Sequence, residues 1–127
     1  MVKTSLVSAD IENGKQMLKV LDDGGLSVSV LLWLYLSRYE DWRLAIASRQ
    51  LDRMGQREGI GMVYDKALEG GFELRNVPTF IIHEMNDPLI RALRRAYSKA
   101  SSVEGMRLGG HLVGDQFIED AYVYRIR

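Results

Sequence analysis

The sequence has no cysteine, which removes disulfide frameworks and thiolate chemistry together and leaves a zinc site only two histidines and carboxylates to draw on. Proline is nearly absent as well. Its two copies, Pro78 and Pro88, fall at expected element boundaries, and no repeat, low-complexity tract or Pro- or Ser-rich linker divides the chain. One globular domain spanning residues 1–127 is therefore expected. No charge of either sign predominates: 17 Lys and Arg balance 17 Asp and Glu, so no global field steers the molecule toward nucleic acid or an anionic membrane. Long hydrophobic runs are missing too. The longest, Val30 to Leu36, is far short of the ~20 residues that cross a bilayer, and the first eight residues lack the apolar core of a signal peptide. A cytoplasmic protein without a membrane partner is the expectation, and a reducing compartment suits a chain without cysteine.

What is present is a dense alternation of short elements. Asp10 to Leu21 reads as a helix that ends at Asp22, Asp23, Gly24 and Gly25. Leu26 to Ser37 has period two, with Leu26, Val28, Val30, Leu32, Leu34 and Leu36 on one side, which favours a strand over a buried helix. Trp42 to Ser48 follows as its hairpin partner across the polar turn Arg38 to Asp41. Gln56 to Glu69 is helical, and its early Gly59 and Gly61 read as a poor first turn. Val77 to Met85, rich in β-branched and aromatic residues, reads as a central strand feeding a helix over Pro88 to Ala100. Met106 to Val113 and Phe117 to Ile126 form a closing hairpin about Gly114 and Asp115. The fold class is α+β: a mixed sheet of about five strands with three packed helices, in the order α-β-β-α-β-α-β-β.

The helix over Pro88 to Ala100 carries the only advertisement of a partner. Asp87 can cap it and Pro88 suits its first turn. At about 100° per residue, Leu89, Ile90, Ala92, Leu93, Ala96, Tyr97 and Ala100 share one arc, while Arg91, Arg94, Arg95 and Lys99 share the other. From Pro88 to Arg107 five bases, the last being Arg107, meet one acid, Glu104; this local +4 leaves −4 on the rest of the chain. Such a face suits a phosphate backbone, an acidic patch on a protein, or nothing more than water.

Catalytic candidates are few. His83 and Glu84 close a strand, followed by Asn86 and Asp87, at the end where ligands settle in open α/β sheets. Were the last strand alongside, Glu119 or Asp120 would join them around a divalent cation for phosphoryl chemistry. The bland reading of Glu119 and Asp120 is a structural ion pair. Being adjacent they point to opposite faces, and one needs a partner among Arg125, Arg107 and Arg43. His111, beside Gly109 and Gly110, reads as a turn or edge residue. A hairpin nuclease pattern fails, because Ala47, Ser48 and Arg49 stand where the second acid and lysine belong after Asp41. No phosphate-binding loop, nucleophile elbow or zinc-protease helix occurs, and no metal or cofactor is assigned.

Trp33, Tyr35, Tyr39 and Trp42 cluster on the first hairpin, either as an exposed docking surface or beneath a covering helix. The leading expectation is a non-catalytic interaction module that docks on a protein partner or on itself through this hairpin or the basic helix. The alternative is a nucleic-acid binder, with or without metal-dependent phosphodiester cleavage.

Overall fold

The computed structural model describes residues 5–127. Its organising element is β1 (Val30–Leu36), paired antiparallel with β2 (Asp41–Ala47) on one side and with β5 (Gln116–Ile126) on the other. β3 (Phe80–Ile82) adds parallel to β2, and β4 (Arg107–Val113) adds antiparallel to β5, giving the order β3-β2-β1-β5-β4. The expected five-stranded mixed sheet and α+β class are present.

β1 has a strand on each edge, and a helical layer lies on each of its faces, so its side chains are covered on both sides. Every side chain from Val30 to Tyr35 is buried. Leu31, Trp33 and Tyr35 pack, with Trp42, Leu44 and Ile46 of β2, beneath α1 (Ser8–Asp23) and α3 (Gln56–Glu69). Val30, Leu32 and Leu34 face the other way, onto Ile90, Ala92 and Leu93 of α4 (Pro88–Tyr97). The result is a three-layered helix–sheet–helix arrangement. The one-turn α2 (Arg49–Asp52), capped by the Ser48 hydroxyl accepting from the Gln50 N–H at 3.2 Å, was not evident in the sequence.

Two places depart from simple alternation. Leu26 and Val28 lie in the cluster under α1 and α3, not with Val30, because the chain bends at Ser29 before joining the sheet. In the closing hairpin, Leu108 and Val113 both face α4, as do Ile118 and Ala121, so each strand changes phase. Gly110, at φ 63°, supplies the left-handed residue in β4 where this happens. Phe117 is consequently 62 % exposed beside its cross-strand neighbour Leu112 at 70 %.

The strand expected to be central is an edge strand of three residues. Pro78 has no N–H to give a ladder, Thr79 only accepts from Leu44, and β3 pairs with β2 alone. The helix expected to run to Ala100 ends at Tyr97, which leaves Lys99 in the following turn. Of the two early glycines of α3, Gly59 is buried, with Ile82 Cδ1 3.4 Å from where a Cβ would sit, while Gly61 faces open space.

α1 meets β5 in a close fit between Gly14 and Tyr124. A Cβ at Gly14 would lie 2.2 Å from the Tyr124 hydroxyl, which donates to the Ile11 carbonyl at 2.6 Å. Gly14→Ala is therefore expected to overpack this seam, costing about 1–3 kcal/mol and lowering Tm by roughly 4–12 °C. Gly61→Ala, in open space within α3, is expected to raise stability by about 0.5–1 kcal/mol in the same melts. Burial also pushes the Tyr124 phenol well above its ordinary value. Above about pH 10 the phenol loses its proton in the unfolded chain before it does in the fold, so stability falls as pH rises. Chemical denaturation across this alkaline range is expected to show a shallower decline for Tyr124→Phe than for the parent, and parallel declines would refute the assignment.

Candidate cationic docking face

α4 is launched directly from the turn after β3. Asp87 caps it, one carboxylate oxygen accepting the Leu89 N–H at 2.9 Å and the other lying 3.4 Å from His83 Nδ1. Pro88 fills the first position, where its missing N–H costs nothing. The turn itself is held by Asp52 of α2, whose carboxylate accepts the Met85 N–H at 3.2 Å. With Ile90, Ala92 and Leu93 buried in the sheet, geometry fixes which residues face water.

Arg91, Arg95 and Lys99 are exposed and form no ion pair among the described residues. Arg94 is half-buried, and its Nε donates to the Arg127 backbone oxygen at 3.0 Å, bringing a further exposed cation beside the helix. Arg94 and Arg95 occupy the last turn, where the carbonyl end of the helix dipole favours positive charge. Between α4 and the turn joining β4 to β5 lies a groove of about 680 Å³, lined by Arg91, Arg95, Ala92 and Ala96 on the helix and by Gly114 and Asp115 on the turn. The sequence placed Ala92 and Ala96 in the apolar arc and gave no sign of the groove, because the approach of the turn to α4 is a tertiary fact.

Arg107 does not belong to this face. It sits on β4, and its guanidinium grips Asp120 with two bonds of 2.8 and 2.9 Å while lying 5.4 Å from the centre of the Trp42 ring, on the sheet face opposite α4. The bond to Asp120 pushes the guanidinium pKa further up. Asp120 is 7 % exposed, so this is the structural ion pair foreseen for it, with Arg107 as the partner chosen from the three candidates. Arg125 instead pairs with Asp22, and Arg43 stacks on Tyr39, 4.0 Å from the ring centre.

The catalytic candidates do not converge. Asp120 is level with Tyr35 and, across β1, with Trp42 at the start of β2, whereas the His83 N–H bonds Ile46 near the end of β2. Five residues along the strands and three strand spacings separate them, roughly 20 Å. Glu119 is exposed and accepts from the Ser37 hydroxyl at 2.7 Å, and Glu84 is exposed at the other end of the sheet. No group of three or more metal-ligating side chains occurs among the described residues. His111 lies exposed on edge strand β4, its Nδ1 3.1 Å from the Gly109 carbonyl.

The aromatic hairpin is not a surface either. Trp33, Tyr35 and Trp42 are between 5 and 8 % exposed beneath the α1 and α3 layer, and only Tyr39, at 43 %, reaches solvent. The Leu face of β1 did not satisfy the core alone, because β1 lies in mid-sheet and both its faces are interior.

What the fold and site define is an α+β chain with a helix face whose Arg91 and Arg95 form no ion pair among the described residues. Comparison with protein-family models, with curated proteins and with solved structures finds no match for the chain. No helix among the described residues is long and apolar enough to cross a membrane.

The two groups of arginines are expected to respond oppositely to truncation. Arg107→Ala strips two bonds from a buried carboxylate and is expected to cost about 1–3 kcal/mol. Arg91→Ala and Arg95→Ala are expected to stay within about 0.5 kcal/mol of the parent. Urea denaturation of the three variants decides this, and equal losses would show that the α4 arginines hold the fold.

Proposed function

We propose that the protein is a non-catalytic interaction module that docks on an acidic protein surface through the outer face of α4. The observation that carries this is that Arg91 and Arg95 on α4, with Lys99 in the turn that follows, form no ion pair among the described residues, beside a helix whose inner face is locked into the core. A partner's carboxylates supply what the chain itself withholds from these groups, and arginine grips a carboxylate with two parallel bonds. The separation of His83 and Glu84 from Glu119 and Asp120 speaks for binding over carboxylate chemistry.

A protein surface is favoured over nucleic acid because the patch of Arg91, Arg95 and Lys99 is small and the remainder of the chain carries net −3, which repels an extended polyanion. That remainder also makes a second copy of the chain one acidic surface available to α4.

The test is fluorescence anisotropy of labelled polyglutamate at several salt concentrations, with a DNA duplex of equal charge in parallel. Arg91→Glu combined with Arg95→Glu is expected to weaken polyglutamate binding at least roughly tenfold, an effect of about 1.4 kcal/mol, while the reversed charge in the last helical turn lowers stability by only about 1 kcal/mol or less and the chain stays folded. Binding unaffected by the double reversal would overturn the reading. Tighter binding of the duplex, with a steep salt slope, would turn it toward nucleic acid.

A further inference from the structure

We infer that the groove between α4 and the β4–β5 turn is the seat of an extended acidic peptide segment of the partner, an inference that rests on α4 being the docking face. Its volume of about 680 Å³ falls within the range of ligand-binding clefts. Its floor is made of the smallest side chains available. Ala92 and Ala96 contribute single methyl groups and Gly114 none, and a Cβ at Gly114 would already stand 3.6 Å from that of Ala92. A floor of this kind admits a peptide backbone closely.

Arg91 and Arg95 stand on the helix wall of the same groove. One turn apart, their Cα atoms are separated by about 6 Å. In an extended chain, side chains two residues apart project to the same side at about 6.6 Å. Two carboxylates at alternate positions of an extended peptide therefore match the two guanidiniums, one each, while the main chain between them lies over the exposed Ala96.

Asp115 on the opposite wall refines the choice of ligand. It forms no ion pair with either arginine, so it adds a fixed negative charge that penalises a ligand charged on all sides. A peptide with acids on one side only avoids that penalty, and a phosphodiester chain does not. The groove thus selects by geometry and sign together, where a bare cationic helix would select by sign alone.

The experiment uses the full chain and a short fluorescent peptide alternating Glu with Gly, a control peptide holding the same acids in one block, and a single-stranded DNA of matched charge. Ala96→Leu fills the groove without altering charge, at an exposed position and with a good helix former. It is expected to weaken the alternating peptide roughly tenfold. Asp115→Asn is expected to tighten the same peptide about threefold and to narrow its advantage over DNA. Thermal melts confirm that both variants remain folded. Salt-sensitive binding that needs Arg91 and Arg95 but ignores Ala96→Leu and Asp115→Asn would overturn the groove and leave α4 as a docking face. Equal binding of the alternating and blocked peptides would overturn the extended register, and preference for DNA would overturn the acidic peptide. Binding indifferent to the arginines as well would overturn both readings.

Discussion

Burial of β1 on both faces is the constraint from which the rest of the molecule follows. Six consecutive side chains from Val30 to Tyr35 are withdrawn from water, each large one stabilising the fold by about 1.5–3 kcal/mol. None of that is available unless a layer lies on each side of the sheet. α1 and α3 provide one layer, and α4, with the loops around Met85, Val103 and Met106, provides the other. The connection from β3 to β4 runs from one edge of the sheet to the other, so α4 is laid across the face it must close. A helix used as a lid has an outside, and here that outside is cationic.

The disposition of charge over the fold sharpens the point. Arg107 is committed to Asp120, Arg125 to Asp22 and Lys19 to Asp23, while Asp87 is spent on the α4 cap. Exposed pairs such as Lys19 with Asp23 contribute little, since water and salt screen them. The Asp120 pair differs, because its carboxylate is buried and would be costly without the guanidinium. Arg49, Arg53 and Arg57 around α2 and the start of α3 form no ion pair among the described residues, and neither do Arg91 and Arg95, which line the groove beside α4. Those of α4 could have been answered by acids at neighbouring helical positions, where a pair contributes a few tenths of a kcal/mol, and they are not.

Much of this architecture was legible in the sequence for local reasons. The α4 cap and Pro88, the period-two run through β1, and the Gly114–Asp115 turn each carry their signal within a few residues. What failed to show was what depends on tertiary pairing. A three-residue edge strand and a central strand have the same composition, and only the partner on one side of β3 separates them. The phase change at Gly110 was not legible, because a glycine in a strand does not announce its φ. Arg107 was grouped with the basic helix by proximity in sequence, although a strand intervenes in space and delivers it to the opposite face. The aromatic residues of the first hairpin were ambiguous for a related reason: their exposure is decided by which helices cover that face of the sheet, which pattern alone does not encode.

The separation between the two faces of α4 has a thermodynamic consequence for binding. A partner that meets a flexible cationic segment must order its backbone, at roughly 1–2 kcal/mol per residue, before any contact is gained. Here the core has already ordered the helix through Ile90, Ala92 and Leu93, the Asp87 cap fixes its start, and Arg94 is tethered to Arg127. Only the side chains of Arg91, Arg95 and Lys99 remain to be immobilised, at about 0.5–1.5 kcal/mol each. A small patch can therefore bind usefully without a large interface, since most of the ordering cost was met when the sheet was covered. The same logic leaves the outer residues free to carry specificity, because the core holds the helix without them, and this supports the docking proposed for that face.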